Sequence, residues 1–581
     1  MAEQIVSPGV FQRETDQSFI TPAPVEVGAA IIGPTVRGPV ERPTVVTSFA
    51  DFKNKFGSTF ISASENLEFF TSIAVQKYFA NGGNSMLVTR VASGSHTHAT
   101  STHISSSANA SIQPFTLETL GEGDIFNNST STTDAGAQFT DGSLKSGSLD
   151  NLRWEISGIN NVAGTFNVSI RRGDDNTNNK IILETFIGCS LDPKSDNYIS
   201  KVIGDYETST TSAEGQTFIK VNGDYPNRSK FVRVKAVNSQ TPDYTLLDGS
   251  VGVSGTTSYS ASLPIAESGS FFGAAGSNIP STRQLLAFDS IDSTDTQGLA
   301  ATDYTTAINI LKNTDEYRFA TITTPGAYQQ NFGAVVSDVI ELCEGRGDCF
   351  YITDLVKYGA SLTDVTTEAG ELNTNFAGAY WPWVQVPSSE LSRNVWVPAS
   401  TVMQGVYAAN DKVAAPWFAP AGLNRGGVPV VRTEFKLNQA VRDKLYDNNV
   451  NPIATFPRVG PVAYGQKTLQ KKASALDRIN VRRLLISLKN FIGDTSKNLV
   501  FEQNTTVTRN KFLNAVNPFL ESVQQRQGLF AFRVVMDETN NTAEAIDRNQ
   551  LVGQIFIQPT KTAEFIILDY TIQPTGATFN D

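Results

Sequence analysis

The three histidines fall in one short stretch, as His96-x-His98 and His103. Imidazoles at this spacing could bind a metal ion such as zinc. However, no cysteine or carboxylate stands near them in the sequence, and the residues around them are mostly Ser and Thr. The pattern therefore favours a surface loop without a metal ion, and a metal site is kept as the alternative.

The three cysteines are Cys189, Cys343 and Cys349. Cys343 and Cys349 could form a redox pair, but six residues across a Gly-containing turn is not the CxxC spacing. The opening residues MAEQIVSPGVFQRET contain neither the basic nor the apolar part of a secretory signal. An odd number of cysteines in a chain without that signal is typical of free thiols in a reducing compartment. We therefore predict buried, unpaired thiols.

Two Arg-Gly-Asp triplets occur, at 172–174 and 346–348. Each lies where a tight turn needs Gly and Asp, which is the simpler explanation of the pattern. A role in cell adhesion would require an exposed loop of a secreted protein. An adhesin is therefore an alternative of another functional class.

The motifs of several enzyme classes are missing from the sequence. These are the phosphate-binding GxxxxGK[ST], a GxGxxG after a strand, HExxH and GxSxG. No pair of carboxylates is placed by sequence for acid–base chemistry. We therefore expect no enzymatic activity, no cofactor and no metal, and a hydrolase with unrecognised residues is a further alternative.

Composition and charge narrow the functional class. The chain has 581 residues, of which 40% are hydrophobic, and no apolar run reaches the ~20 residues of a membrane span. Its net charge of −11 disfavours a general nucleic-acid-binding protein. Residues 425–526 nevertheless contain 17 Lys and Arg against 7 Asp and Glu. This asymmetry predicts a basic face for a specific acidic partner, or else only solvated helix surfaces.

The elements that must position these residues follow two patterns. Alternating strand and helix signals before 93 and after 282 predict an α/β (α+β) core with a mixed sheet flanked by helices. Short strands with turns between them predict a β-rich insertion. We predict the following units: an N-terminal arm (1–22), the core (23–92 with 283–465), an insertion (93–282) of one or two subdomains, and a C-terminal domain (466–581) that ends in an arm from about 561.

Several local predictions carry this architecture. A βαβ unit is predicted from the strand at 317–325, the helix at 327–344 and the strand at 349–355. A helix starting at Ser64, a strand at 198–205 and a packed loop at 396–422 are also predicted.

Two amphipathic helices are predicted in the basic region. In the first, about 477–492, Val481, Leu484, Leu485, Leu488 and Ile492 form one apolar stripe. The second is predicted at 508–527 and contains Pro518, which should kink it. The basic side chains predicted to lie outside the apolar stripes are Arg482, Arg483, Lys489, Arg509, Lys511 and Arg526.

Several blocks of residues resemble one family. These are SPGVFQRET (7–15), the segments IRRGDDN (170–176) and LETFIGCSLDPKSDNYISKVIGD (183–205), WFAPAGLNRG (417–426), LDRINVRRLLISLKNFIG (476–493), and the stretch from RVVMDETNN to FIILDY (533–570). Together they resemble the contractile tail sheath proteins of long-tailed bacteriophages, the myoviruses. The resemblance is weakest over 93–150 and 240–300.

The resemblance implies a structural protein of the virion tail that is assembled in the cytoplasm of the host bacterium. Such subunits form stacked hexameric rings around a tail tube, exchange arms with neighbours and contract to drive the tube through the host envelope for genome ejection. The implied partners are other copies of the chain, the tail tube protein, and the baseplate and tail terminator proteins, without direct nucleic-acid binding or membrane insertion. The resemblance also implies that the insertion (93–282) faces outward and that the C-terminal domain (466–581) is the inner one. The six basic residues named above would face the tube. The residues implied in strand exchange are Ser7, Pro8, Gly9, Val10, Phe11, Phe565, Ile566, Ile567, Leu568 and Tyr570. A sheath from a phage-derived bacterial injection system is the alternative within this class.

Overall fold

A computed structural model describes residues 27–62, 65–94, 96–107, 110–123, 134, 136–161, 163–213, 216–239, 263–274, 291–292 and 294–564. The strands are β1 (Val27–Gly33), β2 (Thr44–Val46), β3 (Thr59–Ser62), β4 (Glu65–Glu68), β5 (Met86–Arg90), β6 (His98–Ser101), β7 (Phe115–Glu122), β8 (Leu152–Asn160), β9 (Thr165–Arg172), β10 (Ile182–Ser190), β11 (Glu207–Ala213), β12 (Gln216–Asn222), β13 (Val232–Val237), β14 (Glu267–Phe272), β15 (Phe319–Tyr328), β16 (Phe350–Asp354), β17 (Ala377–Trp381), β18 (Val384–Ser388), β19 (Arg393–Val397), β20 (Arg432–Thr433), β21 (Val450–Phe456), β22 (Gly460–Ala463), β23 (Leu529–Val535) and β24 (Gln554–Pro559). The helices are α1 (Phe49–Phe56), α2 (Phe70–Ala80), α3 (Ile199–Ile203), α4 (Thr305–Ile310), α5 (Gln329–Arg346), α6 (Leu362–Glu371), α7 (Ser400–Val413), α8 (Gln439–Asp447), α9 (Ile479–Lys497), α10 (Thr506–Gln525) and α11 (Ala543–Asp547).

The core is built on an eight-stranded mixed sheet in the order β2-β5-β1-β15-β16-β17-β21-β22. The six central strands are parallel to their neighbours, and β2 and β22 pair antiparallel at the two edges. Alternate residues of β1 face different apolar clusters. Ala29 and Ile31 belong to the cluster that contains residues of α1 and part of α2, whereas Ala30 and Ile32 belong to the cluster that contains the buried residues of α5. Burial on both faces explains the continuous apolar run in this strand.

The predicted βαβ unit is confirmed. β15 and β16 are parallel neighbours, and α5 connects them. The helical spacing of the apolar residues in α5 predicts that they face inward, and the structure buries Phe332, Val335, Val336, Val339 and Cys343 and leaves Ile340 half-buried. The mixed α/β class of the core is therefore as predicted, whereas the two predicted arms lie almost entirely outside the described residues.

The β-rich insertion is a seven-stranded antiparallel sheet in the order β10-β9-β8-β14-β6-β7-β13. Its own apolar cluster includes Trp154 and the stacked rings of Phe115 and Phe166, whose centroids are 5.4 Å apart. β6 and β7 lie in the polar stretch 93–150 and belong to this larger sheet. A hairpin of β11 and β12 extends from the insertion and packs against α4 of the core.

Three local predictions are wrong. The segment at 198–205 contains helix α3 and not a strand, because its buried residues Ile199 and Ile203 are four apart, which is the helical period. Residues Glu65–Glu68 form β4, so the next helix begins at Phe70 and not at Ser64. The predicted loop at 396–422 contains α7, a buried helix whose proline-free sequence follows Pro398.

The C-terminal unit consists of α9, α10, β23, α11 and β24. Its apolar cluster includes Leu484 and Leu488 of α9, Phe512 and Val516 of α10, and Trp417 from the segment after α7. α10 is assigned as one helix through Pro518. The strands β23 and β24 form a separate two-stranded antiparallel sheet.

Candidate assembly surface

The basic residues predicted to face a partner divide into buried and exposed groups. Arg482, Arg483 and Arg509 are buried, with exposed fractions of 3%, 4% and 6%. Lys489, Lys511 and Arg526 are exposed. The expectation that all six side chains lie outside the apolar stripes is therefore wrong for three of them, and contact with a tube stays a prediction for the others.

Arg483 forms an internal ion pair between α9 and α7. Its Nη1 lies 2.9 Å from Oδ1 of Asp411 and its Nη2 lies 2.5 Å from Oδ2. The guanidinium also lies over the ring of Tyr407, with 4.7 Å to the centroid. Burial opposes the charge, but Asp411 raises the pKa of Arg483 above its usual value. The residue is fixed inside the molecule by its charge-assisted bonds.

Arg482 is buried by an aromatic contact. Its guanidinium lies 3.7 Å from the ring centroid of Phe376, and Nη1 donates to Oδ1 of Asn375 at 3.2 Å. Burial lowers the pKa of Arg482 to about 10. The side chain therefore joins α9 to the segment that leads into β17.

Arg509 lies in the first turns of α10. Its Nε donates to Oδ1 of Asn504 at 3.0 Å, and Asn504 in turn donates to the carbonyl oxygen of Gln550 at 2.9 Å. This network places Arg509 beneath the segment between β23 and β24. The side chain is therefore not available to a partner in this conformation.

Two apolar stripes on α9 explain the misplaced arginines. Leu484 and Leu488 pack in the C-terminal unit, as predicted, but Ile479 and Ile486 pack in the core cluster. Residues 479, 482, 483 and 486 share one face because they recur at helical spacing. The isoleucines at both ends of that face were a signal that this second stripe is buried.

The exposed group retains three basic side chains. Arg526, at the end of α10, donates from Nη2 to the carbonyl oxygen of Ala414 at 3.1 Å and lies over the ring of Trp417. Lys511 projects from α10. Lys489 lines a cleft of about 630 Å³ beneath α9, and burial together with Arg482 lowers the pKa of Lys489. An acidic partner could therefore reach Lys489, Lys511 and Arg526 without unfolding the helices.

The sheet of β23 and β24 presents two unpaired edges among the described residues. Arg533 pairs with Phe556 and Val535 with Gln554 in its register. Phe530 and Phe556 are exposed, at 75% and 56%. A two-stranded sheet is marginal by itself and can accept further strands from another chain. The residues implied in strand exchange, Ser7–Phe11 and Phe565–Tyr570, lie outside the described residues.

The other candidate residues have structural roles. Cys189, Cys343 and Cys349 are buried free thiols, as predicted, and burial raises the pKa of Cys343. His98 and His96 lie 3.1 and 3.6 Å from the carboxylate of Glu122. Throughout the described ranges, no group of three or more His, Cys, Asp or Glu side chains is arranged to hold a metal ion.

The two Arg-Gly-Asp triplets form turns. In the first, Arg172 pairs with Asp174 of the same turn, from Nε to Oδ1 at 2.6 Å. In the second, Arg346 pairs with Asp348 at 2.8 Å, and Gly347 has the left-handed backbone that favours glycine. The turn interpretation therefore holds for both. None of the helices in the described part of the chain is both long and apolar enough to cross a membrane.

Comparisons with known proteins single out the C-terminal unit. Residues 471–573 match the family described as phage tail sheath C-terminal domain. The tail sheath protein of Vibrio phage KVP40 is 44% identical over 188 residues, which are 32% of this chain and 28% of that protein. The tail sheath protein of Enterobacteria phage T4 is 40% identical over 189 residues, which are 32% of this chain and 29% of that protein. Each alignment thus spans less than a third of the relative's length.

The likeness of fold extends further. The crystal structure of a sheath tail protein from Listeria innocua has a TM-score of 0.52 and covers 88% of this chain and 89% of that chain, at 10% identity. At that identity the match shows a common fold alone. The predicted resemblance to phage tail sheath proteins is confirmed, and the sequence similarity to them includes α9, α10, β23 and β24.

Proposed function

We propose that this chain is the structural subunit of a contractile phage tail sheath. It would assemble in the host cytoplasm as stacked hexameric rings around the tail tube and contract to drive the tube through the host envelope. One observation carries the proposal. The region that matches the sheath C-terminal domain contains a two-stranded sheet, β23–β24, with both outer edges unpaired among the described residues.

Strand exchange would link the subunits. An added strand satisfies the backbone donors and acceptors at a sheet edge, so its affinity needs little side-chain surface. The segments Ser7–Phe11 and Phe565–Tyr570 are the candidates for the added strands. Backbone pairing of this kind would hold neighbouring subunits together while their cores change orientation.

Attachment to the tube would depend on exposed charges. Of the six basic residues first considered, Lys489, Lys511 and Arg526 remain as candidates. Exposed ion pairs are worth about 0–1 kcal/mol each. Contacts of this strength can hold an extended sheath in place and still be released during contraction.

Contraction would use energy stored at assembly. The extended lattice would be metastable and would relax to a better-packed one, a transition that requires no nucleotide. The baseplate and tail terminator proteins would bind the two ends of the stack. A bacterial injection system would use the same architecture, and the genes that neighbour this one would distinguish the two, since a phage sheath gene lies beside capsid and portal genes.

Electron microscopy of the purified protein tests the proposal. The full chain is compared with variants lacking residues 1–24 or 565–581. We expect striated tubes from the full chain and no connected tubes from either deletion. Truncated protein that still builds cylinders, and whose cylinders shorten as one body, would contradict strand exchange. Dispersed full-length monomers that bind cells would favour the adhesin.

A further inference from the structure

Glu564, the last described residue of the C-terminal segment, is held by three side chains from separate parts of the fold. Arg478 donates from Nε to Oε1 at 2.7 Å and from Nη2 to Oε2 at 3.0 Å. The hydroxyl of Tyr446 donates to Oε2 at 2.7 Å. Nε2 of Gln466 donates to Oε1 at 2.9 Å and also bonds the hydroxyl of Thr562. We call this cluster of Glu564, Arg478, Tyr446 and Gln466 the Glu564 clamp.

The negative charge of Glu564 is stabilised by the positive charge and the hydrogen-bond donors around it. The side chain of Glu564 is 17% exposed and that of Arg478 is 25% exposed. Burial alone would raise the pKa of Glu564, but the bonds from Arg478, Tyr446 and Gln466 lower it below its usual value. Glu564 is therefore ionised at neutral pH. A two-point bond between a guanidinium and a carboxylate is among the stronger and more directional polar contacts.

The three donors lie on different parts of the fold. Tyr446 lies on α8, which packs against β21 of the large sheet. Arg478 is the N-cap residue of α9, and the carbonyl oxygen of Gln466 accepts the backbone N–H of Ile479 at 2.8 Å. The clamp therefore ties the chain after β24 to the core and to the start of α9 at the same point.

The position of the clamp determines which parts of the fold bear tension applied to the C-terminal residues. β24 ends at Pro559, five residues before Glu564. Without the clamp, tension on residues 565–581 would reach β24 directly, whose pairing in the described structure is with β23 alone. With the clamp, tension is resisted first by three side chains anchored in the core and in α9.

We propose that the Glu564 clamp is the fixed root of the C-terminal linking arm, so that a neighbouring subunit pulls on the core and α9 and not on the β23–β24 sheet. This rests on the proposed function, because it requires that residues 565–581 bind a neighbour. The arm then begins at residue 565 and not near 561. Releasing the clamp would add five residues of slack, up to about 17 Å of extended chain.

Hydrogen exchange on the purified protein tests the clamp without requiring assembly. We compare Glu564→Ala and Arg478→Ala with Glu544→Gln, a control that removes an exposed ion pair with Arg548 on α11. Protection of the Thr560 amide, which donates to the carbonyl oxygen of Gly528 at 3.2 Å, should fall at least about tenfold in both clamp variants, since bonds to charged groups that hold the following residues are lost. It should not change in the control. Unchanged protection in Glu564→Ala would overturn the clamp itself.

A second measurement tests its mechanical role in assembled tubes. Glu564→Ala tubes should assemble but contract incompletely, with rings separating along the axis, whereas Glu544→Gln tubes should contract like the wild type. Full contraction of Glu564→Ala tubes, despite lost protection of the Thr560 amide, would overturn the role in transmission. If wild-type protein forms no tubes, the proposed function and the role of the clamp as the root of a linking arm both fail, while the exchange experiment still shows whether the clamp holds the chain after β24.

Discussion

Glu122 joins the insertion to the core through a cluster of donors. Its carboxylate accepts the backbone N–H of Val40 at 3.2 Å and Nη2 of Arg42 at 2.7 Å. His98 and His96 lie on the same carboxylate, at 3.1 and 3.6 Å. Burial would raise the pKa of Glu122, but the hydrogen bond from His98 and the charges of Arg42, His98 and His96 lower it to about 2. The ionised form is therefore the one that the folded protein stabilises.

Glu122→Gln should make the stability of the insertion–core junction less dependent on pH. The folded pKa of about 2 lies below the ordinary 4.5, so ionised Glu122 contributes to the stability of the folded protein above about pH 4.5. That contribution is lost as the pH falls from about 4.5 towards 2. In thermal unfolding at pH 7, we expect the variant to have a lower melting temperature than the wild type. At pH 3 the difference between the two melting temperatures should be smaller. Glu544→Gln is the control. A difference that is equal at both pH values would contradict the assignment.

The histidines show what could not be predicted at this scale. Their Ser- and Thr-rich surroundings predicted a surface loop without a metal ion, and no carboxylate stands near them in the sequence, since Glu122 is 24 residues beyond His98. His98 instead begins strand β6. The antiparallel pairing of β6 with β7 places His98 directly opposite Glu122. Strand partners that far apart leave no local signal in one sequence, because register depends on the whole sheet.

At the scale of helices and strands, α5 and one face of α9 were predicted, whereas the second buried face of α9 and the whole of α7 were not. The apolar residues of α5 were identified because one face of that helix packs on the sheet. α9 packs against both the core and the C-terminal unit. Because a single apolar stripe was assumed from the sequence, Arg482 and Arg483 were wrongly predicted to be exposed. α7 was missed because its buried residues include Ser400, Thr401 and Gln404, which carry no apolar signal.

The pairing of α9 with α10 can be tested through one aromatic contact. The rings of Phe491 and Phe519 are stacked, with centroids 3.7 Å apart and an interplanar angle of 16°. Phe491→Ala should destabilise the C-terminal unit by about 1–3 kcal/mol, because it loses this contact and part of its buried area. Phe501→Ala is the matched control, since Phe501 is fully exposed in the turn between the helices. The measurement is the melting temperature of each variant.

The control separates the loss of the ring contact from the loss of a phenylalanine side chain as such. The free energy of unfolding of Phe501→Ala should differ from that of the wild type by no more than about 0.5 kcal/mol, as is usual for exposed substitutions. Equal destabilisation by the two substitutions would show that the stack does not hold the helices together.

At the scale of the whole molecule, the core and the insertion have separate apolar clusters. The chain leaves the core after Val91 and returns at Ile291, and both residues belong to the same core cluster. Between these points, the contacts from the insertion to the core include Glu122 and the packing of β12 against α4. An insertion joined to a core in this way is expected to be removable, because the two ends of the gap lie in one cluster.

Replacing residues 95–290 by a short Gly-Ser linker should leave the core and the C-terminal unit folded. The buried guanidinium of Arg90 complicates the test, since its Nη1 donates to the carbonyl oxygen of Glu122 at 2.8 Å. Excision removes that acceptor and leaves the carbonyl oxygen of Gly38 among the partners of Arg90. A charge that loses a partner in a buried site is costly. In the excised protein, the melting temperature should therefore be higher with Arg90→Met than with Arg90 retained. In the full chain, Arg90→Met should have a lower melting temperature than the wild type.

The excised Arg90→Met protein then shows whether the insertion takes part in assembly. If the insertion faces outward, as the resemblance to sheath proteins implies, this protein should still form tubes that contract, and electron microscopy should show a smaller outer diameter with an unchanged axial repeat. A folded core that no longer polymerises would contradict this, because it would place ring contacts on the insertion. Loss of the core's own thermal transition would instead show that the two sheets fold as one unit, since packing of β12 on α4 would then be needed to complete the core.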